Sequence, residues 1–162
     1  MDIFSADINC CTEEMLQIAS KELYKKGYVK ESFIKSVIDR ERTNPTGLQV
    51  EDLINVAIPH TDIEHVIHPT IVIVKKNDQS FFTFHRLDEP DKVILVSVVF
   101  LLVVKEPSGY VDFLADLTGL FQESEFINLL LINPANLIGA KLVEKLSKYE
   151  LTYKGDLINE KP

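Results

Sequence analysis

The run VILVSVVFLLVV, Val93 to Val104, holds a single polar residue, Ser97. Read as a strand it has no wet face, because successive side chains point to opposite sides of a sheet and here both sides are apolar. Such a strand belongs at the centre of a sheet, and the sheet must carry helices on both faces. The run falls well short of the ~20 residues a membrane helix needs, so it reads as buried core and predicts no direct membrane insertion.

The flanking sequence supplies the helices. Thr12 is placed to cap a helix with Glu13 and Glu14 in its first turn, Lys25 and Lys26 in its last, and Gly27 for a left-handed exit. ESFIKSVIDRER sets Phe33, Ile34, Val37 and Ile38 on one face, with Arg40 two positions further on, and TNPTG ends it. INVAIP, TIVIVKK and SFFTFHR then have the β-branched and aromatic texture of strands, separated by turns such as KNDQ and DEPD. Tyr110, Phe113, Leu114, Leu117, Leu120 and Phe121 recur at helical spacing behind a Ser108 cap, and Phe126, Ile127, Leu130 and Leu131 do so behind Ser124. NPANLIGAKLVEKLSKY gives a last helix with Pro134 in its first turn, and KGDLINEKP, lacking a period, is expected to be loosely held. The expectation is an α/β (α+β) fold: two helices, four or five strands, then three helices around one sheet. One domain spans 1–150, followed by a C-terminal tail, 151–162.

Charge narrows the function. Asp and Glu number 25 against 17 Lys and Arg, a net charge of −8, and no basic cluster exceeds two adjacent residues, so nucleic acid and anionic membrane are poor partners. A partner with a basic face fits better. Cys10 and Cys11, adjacent in sequence, are poorly placed for an ordinary disulfide, and MDIFSADINC has acids where a signal peptide carries bases. The expected compartment is the cytoplasm. With six glycines there is neither GxGxxG nor a Walker loop, so no cofactor of the nucleotide kind is predicted.

VAIPHTDIEHVIHP gathers His60, His65 and His68 within nine residues. Pro59 has no amide hydrogen, so the strand NVAI stops there and His60 is delivered to its C-terminal end, the edge where ligand sites gather in open α/β sheets. A neutral imidazole held in one orientation suits a nucleophile, although a histidine after a strand is more often a surface or capping residue. A metal site would need other spacing: five and three residues match neither a zincin helix nor a finger, and Pro59 and Pro69 forbid one helix across the three. His65 and His68 read as residues of a solvated loop or short turn, His85 as a strand-end residue that faces water or caps the strand, and the carboxylates at Asp62/Glu64 and Asp88/Glu89/Asp91 as solvated turns.

IDRERTNPTGL (38–48) followed by VAIPHTD (56–62) resembles the paired signature of the type-2 enzyme IIA domains of the bacterial phosphoenolpyruvate-dependent sugar phosphotransferase system, the fructose, mannitol and galactitol group. The helix ending KKGYV, the long apolar run and the helix after KEPSGY follow in the family's order, over nearly the whole chain. The resemblance implies a single mixed five-stranded sheet sandwiched between helices. It also implies a phosphotransferase component with a phosphohistidine intermediate at His60, Arg40 beside it, and Thr46 as a lesser contact. Where several mannitol-type members carry a second histidine this chain has Tyr110, which is closer to the galactitol-like branch. The implied partners are the histidine phosphocarrier protein as donor, a sugar-specific IIB component as acceptor and, through it, the IIC permease; no metal is required. Three alternatives stand beside this: a regulatory IIA-like module, a metal-dependent enzyme built on the clustered histidines, and an interaction domain that keeps only the fold.

Overall fold

In chain order the elements are β1 (Asp2–Asp7), α1 (Thr12–Lys25), α2 (Ser32–Thr43), β2 (Gly47–Val50), β3 (Ile54–Ala57), a 3-10 turn (Ile63–His65), β4 (Thr70–Lys75), β5 (Phe82–His85), β6 (Val93–Val96) and β7 (Val98–Val103). They continue with α3 (Pro107–Leu120), α4 (Ser124–Ile132), α5 (Ala135–Lys145), a second 3-10 turn (Ser147–Tyr149) and β8 (Thr152–Asp156). The structure, a computed structural model, describes residues 1–51, 53–105 and 107–158, without the side chains of 107–109, so the predicted cap by the Ser108 side chain lies outside what is described, as do the last four residues of the tail.

β7 meets the demand of the apolar run. It is buried over its whole length at the centre of a mixed sheet of order β2-β3-β7-β4-β1-β8, antiparallel to β4 and parallel to β3. On one face Val98, Phe100 and Leu102 pack with Phe113, Leu117, Phe121, Phe126 and Leu142 of α3 to α5 and the loop after α3. On the other, Val99, Leu101 and Val103 pack with Met15, Leu16, Phe33 and Val37 of α1 and α2. Burying each such side chain is worth roughly 1.5–3 kcal/mol, so this one strand anchors both layers.

The run is nevertheless not one strand. It divides at Ser97, and β6 pairs antiparallel with β5 in a separate two-stranded sheet whose Phe82, Phe84 and Val96 close the α1/α2 face. Val93 and Leu95 stay exposed, so an apolar composition over-read the burial of this half.

The sheet has six strands where five were expected. β1 lies parallel to β4 and its DIFSAD sequence carried no strand signal clear enough to read. β8 adds parallel to β1 at the edge, with Leu151 and Leu157 buried on either side, so the expectation of a loose tail is corrected as far as Leu157. An edge strand needs only one row of backbone partners, and the pattern TYKGD is polar because one side remains wet. At the helix ends, Gly27 takes the predicted left-handed conformation (φ +83°). Thr12 does not cap α1; its hydroxyl donates to the Thr83 carbonyl at 2.6 Å, tying the helix to β5, and the N-cap position is Cys11. Pro134 occupies the N-cap position of α5, one residue ahead of its first turn.

Gly47 opens β2 where the two sheets touch. A Cβ there would lie 2.5 Å from the His85 carbonyl oxygen and 3.0 Å from Ile94 Cδ1, while the Gly47 carbonyl accepts the Leu87 N–H at 2.9 Å. The obstructing atom is backbone, so it cannot rotate away. Gly47→Ala is expected to destabilise the chain by about 1–3 kcal/mol in urea denaturation; a change within experimental error would show that the two sheets separate freely at this point.

Candidate functional site

β3 ends at Ala57, and the chain stays beside β7 for two more residues. The Pro59 carbonyl accepts the Leu102 N–H at 2.9 Å, but proline offers no donor in return, so the ladder stops and His60 stands just past the strand's C-terminal end, half-buried. Its Nδ1 lies 2.9 Å from the Ile58 carbonyl oxygen. A carbonyl can only accept, so Nδ1 carries the proton and the lone pair of the neutral ring is on Nε2. Burial pulls the imidazole below its ordinary 6.5; the Ile58 bond opposes this, the Arg40 charge adds to it and Asp62 opposes it. The ring is therefore neutral at pH 7. Tyr110 of α3 packs against it with ring centroids 5.6 Å apart and planes tilted by 44°.

Arg40 projects from the last turn of α2 and its Nη1 is 3.1 Å from Asp62 Oδ1. The two side chains are 37% and 65% exposed, so this pair contributes no more than about 1 kcal/mol and is easily exchanged for another anion. The Arg40 charge acts on the Tyr110 hydroxyl as well as on His60: burial pushes that hydroxyl up and the guanidinium pulls it back. Ser36 and Thr61 share a hydrogen bond, with Thr61 buried, so residues 60–62 are fastened to α2 on one side. A groove of about 510 Å³ opens beside Arg40 along α2, lined by Ser36, Asp39, Arg40, Thr61, Asp62 and His65 among others but not by His60 or Tyr110.

His60, Arg40 and Tyr110 are thus brought together, with Asp62 added. Thr46 is not turned to this group. It is buried, its hydroxyl donates to Glu41 Oε1 at 2.7 Å and its N–H to Glu41 Oε2 at 2.8 Å. Sequence reasoning passed over Glu41, although a glutamate in the last turn of a helix five residues before a Thr-Gly turn is within reach of that turn's donors. Burial pushes its carboxyl up to about 7, against the lowering effect of the Thr46 bonds and of the nearby His85.

The remaining histidines have their own partners. His65 closes the short 3-10 turn, and its Nδ1, 2.8 Å from Ser32 Oγ, docks that turn on α2. His68 meets Tyr28 edge to face at 6.2 Å, and exposed His85 places Nδ1 2.9 Å from the Pro90 carbonyl oxygen. Among the described residues no three His, Cys, Asp or Glu side chains are grouped to hold a metal ion, and no helix is long and apolar enough to cross a membrane.

Comparison with known proteins bears on the family and the fold. The family described as "Phosphoenolpyruvate-dependent sugar phosphotransferase system, EIIA 2" matches residues 4–138. The galactitol-specific EIIA component of the phosphotransferase system of Escherichia coli K12 is 28% identical over 138 residues, covering 85% of this chain and 87% of the relative. Among solved structures, Escherichia coli enzyme IIAMTL, in a complex with phosphorylated enzyme IIBMTL, superposes with a TM-score of 0.63 at 20% identity over 90% of this chain and 94% of that one. The nitrogen regulatory protein IIA-Ntr of Neisseria meningitidis gives 0.60 at 20% identity over 87% and 92%. At such identities the two structures speak for the fold.

Two titrations follow. By ¹⁵N NMR the His60 midpoint is expected below 6.5, and Arg40→Ala should raise it because a repelling cation is gone; an unmoved midpoint would place Arg40 out of range. For Glu41, a folded value of about 7 against an ordinary 4.5 means the folded chain keeps a proton that the unfolded chain has released. The stability this supplies is full below pH 4.5 and lost as pH rises to about 7. Glu41→Gln is expected to shift the slope of unfolding free energy over that window upward relative to wild type; identical slopes would mean Glu41 titrates as an exposed carboxylate.

Proposed function

From the premise that the chain belongs to the phosphoenolpyruvate-dependent sugar phosphotransferase system EIIA type 2 family, we propose that His60 is its phosphoryl-carrying residue and Nε2 the atom that carries. The observation that bears most weight is the Nδ1–H bond to the Ile58 carbonyl, which leaves one nitrogen with a lone pair and fixes its direction. In the proposed cycle that lone pair forms the new N–P bond as the N–P bond to a histidine of the phosphocarrier protein breaks. The electron pair of the broken bond stays on the donor ring. The reverse displacement passes the group to a thiol or imidazole of a IIB component. Donor and acceptor have similar transfer potential, so alignment and stabilisation of three equatorial oxygens are the main demands.

Arg40 meets the second demand. Its planar, permanently charged fork can leave the exposed Asp62 carboxylate for two phosphoryl oxygens. Tyr110 holds the ring from the side and, with its hydroxyl raised by burial, stays protonated and adds no negative charge. The net charge of −8 favours brief docking to a more basic carrier. Similarity to the galactitol-specific component over 85% of the chain supports a galactitol-type system operating in the cytoplasm, with IIC as the membrane-embedded member.

Incubation with phosphoenolpyruvate, enzyme I and the phosphocarrier should add one acid-labile, base-stable phosphoryl group, read by mass. His60→Gln should abolish it with the fold intact; retention of the group in that variant would refute the assignment. Arg40→Ala should slow single-turnover transfer on the order of a hundredfold, taking one lost donor as ~2.7 kcal/mol. Restoration of galactitol uptake with cognate IIB and IIC separates a transport role from a regulatory one: transfer without uptake would favour the regulatory module.

A further inference from the structure

We propose that Glu41 is a positioning residue for transfer at His60: its carboxyl group, gripping the N–H and hydroxyl of Thr46, ends a continuous chain of hydrogen bonds that holds the helix bearing Arg40 in register with the imidazole. The inference rests on the reading that His60 carries the phosphoryl group. The chain can be followed atom by atom. Arg40 and Glu41 are neighbours in the last turn of α2. The two oxygens of Glu41 take the Thr46 hydroxyl at 2.7 Å and the Thr46 N–H at 2.8 Å. The Thr46 carbonyl takes the Ile58 N–H at 3.4 Å, and the neighbouring pair Gly47 and Ala57 continues in ladder register. The Ile58 carbonyl takes the His60 Nδ1–H at 2.9 Å, the bond that selects the tautomer.

Chemistry explains the residue type. Thr46 is 3% exposed and presents two donors side by side. A buried donor left unpaired costs about 1–3 kcal/mol, and of the common side chains only a carboxylate offers two acceptor atoms at the matching spacing. The cost is a carboxyl group in a partly buried place, where ionisation is disfavoured. Such a cost is disproportionate for a surface turn, since TNPTG already contains the proline and glycine that make the turn. What the clamp adds is a fixed distance between two elements. Arg40 reaches His60 from α2, His60 leaves β3, and the Glu41–Thr46 pair adds a hydrogen-bonded tie to the loop contacts at Thr61 and Asp62 and to the packing of Phe33 and Val37 with Ala57. The loop contacts place the segment after His60; the clamp places the backbone before it.

The test uses the full chain and four variants: Glu41→Ala, Glu41→Gln, Thr46→Val and Thr46→Ser. Three quantities are read for each: single-turnover transfer from the phosphorylated carrier, the ¹⁵N signature of the His60 tautomer, and the melting temperature. Glu41→Ala and Thr46→Val are expected to slow transfer on the order of tenfold to a hundredfold and to convert the single Nδ1–H tautomer into a mixture. Thr46→Ser keeps both donors and should restore wild-type transfer and tautomer. Glu41→Gln keeps one acceptor for the N–H and a donor for the hydroxyl, and should fall between. Should Glu41→Ala not fold, the Thr46 pair decides alone. A lowered melting temperature with unchanged tautomer and transfer would overturn the proposal and leave Glu41 a fold residue. If the wild type takes no phosphoryl group at all, the functional reading fails instead, and the ¹⁵N arm still decides whether the clamp sets the imidazole.

Discussion

Pro59 gives β7 a carbonyl and withholds a donor, and the placement of His60 follows from that asymmetry. One half of the backbone pairing holds the chain against the most buried strand of the molecule; the missing half releases it at the next residue. An imidazole carried on such an element has a rigid base and stands half-buried at the sheet's edge. Had the residue before His60 been an ordinary one, the ladder could have continued and the ring would have turned toward one of the two packed faces. The Ile58 carbonyl, already fixed by the extended conformation that a following proline imposes, then takes the ring proton.

The two-layer core decides what surrounds that ring. α1 and α2 cover one face of the sheet and α3 to α5 the other, so an edge residue between them receives a side chain from each. Arg40 comes from the first layer and Tyr110 from the second. The cation and the aromatic wall therefore depend on separate hydrophobic clusters that meet across the sheet. Loosening either layer would move one partner and leave the other. This is the usual economy of open α/β sheets, whose strand ends collect groups from several elements.

Much of this was legible in the sequence because the signals were strong and local. α1 announces itself by an acidic start, a basic end and a 3.6-residue apolar face, α2 by its apolar face and basic end, and the burial of Val98 to Val103 on both sides follows from a run with no alternation. Pro59 alone located His60. What stayed hidden depends on partners remote in sequence. β8 is polar and short because an edge strand borrows its stability from β1, so no pattern within TYKGD could reveal it. Ser97 divides the long run because the β5–β6 hairpin turns away to cover α1 and α2, and hydropathy has no sense of direction. Thr46 was expected near the imidazole and instead binds Glu41, since one hydroxyl in a Pro-Thr-Gly turn can serve either neighbour and only burial chooses. Asp62, exposed and two residues past His60, looked like a solvated turn and is the resting partner of Arg40.

The hydrogen between His60 and Ile58 has a consequence for how the ring can be used. Any group that arrives at Nε2 without its electron pair, and departs the same way, leaves that hydrogen untouched. The ring then needs no visit from bulk water between one visitor and the next. It can be loaded and unloaded while another surface lies flat over it, as long as the peptide behind it keeps its orientation.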